Sequence, residues 1–152
     1  MAVTVNIAAV LNAIAALSVT GVDILDTDEI PESADGIRQP VIYANPDGLI
    51  TDFVYTRQSF GAGGMEKADI EYTLSFRLCH TPVGSGRGLM DIYPDVVTVA
   101  VAFMEAIMTN DSLTGAIDVQ FAGITRFGIV LDPSDKVYEG ADFAIRIKEY
   151  VT

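Results

Sequence analysis

The sequence predicts an α+β domain: an antiparallel β-sheet with two α-helices packed on one face, and long loops between strands. Three observations carry that prediction. Residues 70–79 alternate apolar and polar side chains, the period of a strand with one face in a core. The segments VNIAAVLNAIAAL and VVTVAVAFMEAIM place apolar residues at helical spacing. The elements come in the order helix, hairpin, strand, helix, hairpin, without an internal repeat or a domain-sized linker. At 152 residues, half of them hydrophobic, the chain reads as one domain, 1–152, able to bury about 70% of its extended surface.

In the first helix Ile7, Val10, Leu11, Ile14 and Leu17 form the apolar stripe, with Thr4 or Asn6 as N-cap and Gly21 releasing the chain. An acidic connection from Asp23 to Asp35 follows, with no base before Arg38 and room for a short strand at Val22 to Leu25. Val41 to Ala44 is the next strand. In Asn45-Pro46-Asp47-Gly48 proline fixes φ early and glycine supplies positive φ late, so a turn is expected. Leu49 to Phe60 would then close a hairpin on Val41 to Ala44.

GAGGMEK connects to the strand Asp69 to Cys79. There Ile70, Tyr72, Leu74, Phe76 and Leu78 face the core, and Glu71, Thr73, Ser75, Arg77 and Cys79 face solvent or an interface. HTPVGSGRGLMDIYP leads to the second helix, with Pro94 in its first turn and Asn110-Asp111 at its end. Ile117 to Leu131 and Ala141 to Val151, joined around Asp132-Pro133-Ser134-Asp135, complete the sheet. Phe143, Ile145 and Ile147 alternate there against Asp142, Ala144, Arg146 and Lys148.

The second helix, Val96 to Met108, is apolar almost all round. Its polar residues Asp95, Thr98, Glu105 and Thr109 occupy about a quarter of the circumference. Such a helix has two faces to bury, one on its own sheet and the other on the N-terminal helix or on a neighbouring copy. Mean hydropathy is +0.36, yet no apolar run reaches the ~18–20 residues of a bilayer span. The excess is therefore assigned to subunit contacts, and no membrane is expected.

The net charge of −12, from 21 acids against 9 bases scattered singly, argues against binding nucleic acid through its phosphates. Cys79 is the one cysteine, so no internal disulfide forms. No base precedes the N-terminal apolar run, so a signal peptide is not expected and synthesis is placed in the cytoplasm.

No motif assigns a catalytic residue, a cofactor or a metal. GSGRG and GAGG match no phosphate-loop spacing, and Lys67 lacks the Ser or Thr beside it. Cys79 and His80 are adjacent on a strand and point to opposite faces, which disfavours a nucleophile–base dyad. One Cys and one His make a poor zinc site, and LDTDEIPE lacks the spacing and central glycine of a calcium loop.

The Ala-rich N-terminal helix, VIYANPDGLITDFVYTRQSF, IEYTLSFRL, PDVVTVAVAFMEAIMTNDSLTG and the closing VYEGADFAIRIKEYV stand in a telling order. That order resembles the tail terminator (tail completion) proteins of long-tailed bacteriophages. The likeness covers most of the chain and is one of pattern rather than of an invariant motif. It implies a homohexameric ring that caps the tail-tube protein, stops its polymerisation and meets head-closure or connector proteins. DNA would pass through its channel without specific binding, and the ring would reside in the virion after synthesis in the host bacterial cytoplasm. Head-closure, adaptor and tail-tube subunits share size, acidity and the ring habit, and are the alternatives.

On this reading the working parts are surfaces. Val97, Val101, Met104 and Met108 on the second helix, with the outer face of Asp69 to Cys79, are expected to make subunit contacts. The loops Phe60 to Asp69 and Thr81 to Tyr93 are expected to meet axial neighbours through Phe60, Met65, Leu89 and Met90. A reading from another class is a small ligand-binding or enzymatic domain using His80 and the glycine loops.

Overall fold

The computed structural model describes residues 6–25, 40–59, 66–84, 86, 88–109, 117–133 and 135–151. Their order is α1 (Ile7–Ala15), β1 (Asp23–Ile24), β2 (Val41–Ala44), β3 (Ile50–Ser59), β4 (Glu66–Pro82), α2 (Leu89–Thr109), β5 (Ile117–Leu131) and β6 (Val137–Val151). The result is a mixed α+β domain on a curled β-sheet. Strands β4 and β6 are its spine, paired antiparallel from Ala68 opposite Val151 to Pro82 opposite Tyr138. β5 pairs the far side of β6, β2 and β3 pair β4, and β1 adds to β2 in parallel.

Strand periodicity sets the core. Ile70, Tyr72, Leu74, Phe76 and Leu78 are all buried, as expected, alongside Ala141, Phe143, Ile145 and Ile147 of β6. Ile92, Val96, Val99, Ala100, Phe103 and Ile107 of α2 join the same cluster, as do Val10, Leu11 and Ile14 of α1. Phe103 is its centre, 4.9 Å edge-to-face from Phe143 and 6.1 Å from Phe76. Gly140 is fixed by close approach, because an added Cβ would overlap the Leu78 carbonyl across the β4–β6 ladder.

The hairpin expected between residues 41–44 and 49–60 does not form. β2 and β3 run in one direction along the same edge of β4, against Cys79 to Phe76 and then Leu74 to Glu66. Asn45 N–H donates to the Ser75 carbonyl at 2.9 Å, and Ser75 N–H donates to the Leu49 carbonyl at 3.0 Å. Pro46, Asp47 and Gly48 thus loop outward opposite a single partner residue. The turn chemistry is present, with Gly48 at φ 71° and Asn45 Oδ1 accepting the Asp47 N–H at 3.1 Å. It interrupts the run of chain along β4 instead of reversing it, and β3 is the strand that pairs antiparallel with the next one, β4.

Other boundaries move for local reasons. α1 ends at Ala15, and Gly21 at φ 85° serves a tight turn that bridges Val19 to Val22. α2 starts at Leu89 rather than near Asp95: the Gly88 carbonyl accepts from Asp91 N–H at 3.0 Å and Ile92 N–H at 3.2 Å. Pro94 therefore lies inside the helix, past its first turn. β4 extends beyond Cys79 to Pro82, and β6 begins at Val137 rather than Ala141.

Four ladder irregularities, at 51/54, 79/81, 119/121 and 124/126, add twist to the sheet. The curl brings the end of β5 back toward β2. The Leu131 carbonyl accepts from Tyr43 Oη at 3.4 Å and from Arg77 Nη1 at 3.1 Å. Inside the curl lies a second small core of Val41, Tyr43, Cys79, Val130 and Tyr138.

Candidate functional site

Burial divides α2 into three faces. The core face is described above, and a polar face carries Asp91, Asp95, Thr98, Glu105 and Thr109, all exposed. Between them runs an apolar stripe of Met90, Pro94, Val97, Val101, Met104 and Met108, spaced alternately four and three residues. Met90 is 88% exposed, Val97 40%, Val101 43% and Met108 56%, while Met104 is half-buried. The stripe spans about 27 Å at 1.5 Å per residue. Among the described residues, Met104 alone of the six packs partly against the core cluster that α1 joins.

Leu89, expected in a loop with Met90, opens α2 and is also exposed. Phe60 and Met65, the acidic stretch from residue 26, GAGG and Asn110-Asp111 lie outside the described residues. The expectation that no segment could span a bilayer needs amending. α2, at 21 residues, is long and apolar enough by length and composition, the one such helix among the described residues. Its core face is nevertheless packed on the sheet, as in the core helix of a globular domain.

Two further apolar surfaces escaped sequence reasoning. Among the described residues β5 has β6 as its single strand partner, and Phe127, Ile129 and Leu131 on it are exposed. β3 likewise pairs β4 alone among the described residues, with exposed Ile50, Phe53, Val54 and Tyr55. The alternation Phe127, Ile129, Leu131 is visible in the sequence, but a free edge depends on strand order, which pairing across the chain decides. Arg126 Nη2 donates to the Ile129 carbonyl at 2.9 Å, placing a charge along that strand.

The outer face of β4 and β6 gathers bases that look scattered in the sequence. Arg77 binds Asp142 through two bonds, Nε–Oδ1 at 2.7 Å and Nη2–Oδ2 at 3.3 Å. Glu71 lies 3.1 Å from Arg146 and 3.6 Å from Lys148, and Arg146 also donates to Thr73 and to the Asp52 carbonyl. The hydrogen bonds to Asp142 raise the already high Arg77 pKa, against the opposing effect of burial. This face is thus a self-satisfied polar ladder.

A cleft of about 250 Å³ lies between the outward loop after β2 and the β5–β6 turn, floored by Arg77. Its polar groups shape the turns: Asp132 Oδ1 accepts the Lys136 N–H at 2.9 Å, and Asn45 holds Asp47. No group of three His, Cys, Asp or Glu among the described residues could hold a metal ion. Cys79 is buried with Tyr43, its Sγ 3.9 Å from Tyr43 Oη, and burial pushes its thiol up to about 12. His80 is half-buried at the ladder irregularity, with Nδ1 2.7 Å from Thr81 Oγ1. A buried neutral thiol is a poor nucleophile. No protein-family model matches the chain, and no curated protein is significantly similar to it.

Proposed function

We propose that this chain is a non-catalytic ring subunit of a phage neck or tail, acting as a tail terminator. It would end tube assembly and offer the head its joining surface. The single observation that carries this reading is the apolar surface exposed among the described residues, on α2 and along β3 and β5. These surfaces would meet neighbouring copies, the tail-tube protein and the head-closure proteins. Two different apolar edges on one chain suit heterologous contacts, which close into rings. We read both helices as lying on one face of the largely antiparallel sheet, since residues of both join one buried cluster. The net charge of −12 suits a channel that DNA traverses without sticking.

Native mass spectrometry and negative-stain electron microscopy of the purified chain, alone and with tube protein, test the proposal. Discrete rings of one size are expected. A strict monomer at high concentration that forms no ring on tube ends would refute it. Long tubes growing with concentration would instead identify a tail-tube subunit, and a ring that binds head connectors but not tubes would identify an adaptor.

A further inference from the structure

We propose that the outer stripe of α2 is a docking seam for one amphipathic helix of another protein, with apolar residues at heptad spacing and Lys or Arg on its flank. The spacing suits a helical occupant. Met90, Pro94, Val97, Val101, Met104 and Met108 follow the alternating four–three rhythm that keeps a seam facing a second helix along its length. Three of the six are methionines, side chains that adapt to a partner's shape.

The flanks identify its charge. On one side of the seam Tyr93, Ala100 and Ile107 turn toward the sheet, half-buried or buried. The open side carries Asp91, Thr98 and Glu105 at seven-residue intervals, with Asp95 beyond them, and α2 has no Lys or Arg. An approaching helix meets negative charge on its accessible flank, so a basic flank is favoured and an acidic one repelled.

The same flank weighs against the other occupants. An antiparallel second copy of α2 would match Met90 to Met108 and Val97 to Val101, but it sets Asp91 opposite Glu105 twice. A parallel copy sets those acids against Tyr93, Ala100 and Ile107, which bring no positive charge. α1 carries no base, and its Val10, Leu11 and Ile14 are already buried. A bilayer surface favours helices whose stripe is flanked by Lys and Arg. The seam reading stands whether or not the chain forms a ring.

Fluorescence anisotropy with the full chain tests it. The probes are two synthetic peptides matched to α2's 21 residues, with Leu at the seam positions and either Lys or Glu along both flanks. The Lys peptide is expected to saturate at one per chain and the Glu peptide to bind about tenfold or more weakly, a gap that added salt narrows. The pair Val97→Glu and Val101→Glu should abolish binding, and the pair Asp91→Lys and Glu105→Lys should reverse the peptide preference, circular dichroism confirming each fold. The charge-swapped pair keeps the test open if the first variant misfolds. Failure of the Lys peptide to bind, or an unreversed preference, overturns the proposal. So does a native oligomer that the Val97→Glu, Val101→Glu chain converts to monomer, since a second copy would then own the seam. A monomeric chain that binds the Lys peptide defeats only the ring reading.

Discussion

At Cys79 the curl of the sheet sets the chemistry of one side chain. Its thiol is fully enclosed beside Tyr43, and burial raises it from 9.0 to about 12. Burial, and then the nearby thiol, raise the Tyr43 phenol as well. Both groups hold their protons more tightly in the folded chain than in the unfolded one. The contribution of Cys79 to stability is therefore complete below about pH 9 and is lost as pH rises toward about 12, while that of Tyr43 begins to be lost only above its ordinary value of 10.0. Urea unfolding between pH 8 and 11 should show falling stability, with a shallower fall in Cys79→Ala; equal slopes would contradict the linkage. In the native chain at pH 8 the thiol should react with iodoacetamide about a hundredfold or more slowly than in urea.

α1 shows how an element too short to stand alone is held. Nine residues are marginal as an isolated helix, and three buried side chains fix it to the core. Its N-terminus has one further tether: the buried Glu149 carboxylate on β6 accepts the Asn6 N–H at 2.8 Å, setting negative charge at the positive end of the helix dipole. Glu149→Ala should destabilise α1 by about 1–2 kcal/mol, with Glu149→Gln losing less. Hydrogen exchange should quicken at Val10 to Ala15 while β4 and β6 stay protected. Equal acceleration in the sheet would mean that α1 and the sheet open together. α1 was legible from its spacing, as were β4 and the central part of α2, because helix and strand periods are local signals. The start of α2 was not, since Pro94 reads as a first-turn residue while burial of Ile92 and the Gly88 carbonyl draw the helix back toward Leu89. The place of β2 was hidden for the opposite reason: Asn45-Pro46-Asp47-Gly48 fixes a local bend, but which strand lies beside it is settled by residues 73–79, far along the chain. Val97, Val101 and Met108 could be picked out because a helical wheel alone places them away from the polar stripe.

Across the whole molecule, charge and apolar surface oppose each other in assembly. Every copy carries a net charge of −12, so bringing copies together costs electrostatic energy that salt screens beyond ~10 Å at 0.1 M. The exposed surface on β3 and β5 includes large apolar side chains, and burying them gains free energy that salt does not weaken. The prominent ion pairs, Arg77 with Asp142 and Arg146 with Glu71, are satisfied within one chain and offer little to a neighbour. On the proposed ring reading, association should therefore strengthen with salt. Sedimentation velocity should show smaller species at about 20 mM salt and a shift toward the ring by about 500 mM, as screening relieves the repulsion between copies. Ile129→Asp, which puts a charge on the exposed β5 edge, should weaken association at every salt concentration while leaving the stability of the single chain within about 0.5 kcal/mol. Dissociation on adding salt would point instead to contacts built on ion pairs between copies, and would place the interface away from the apolar edges.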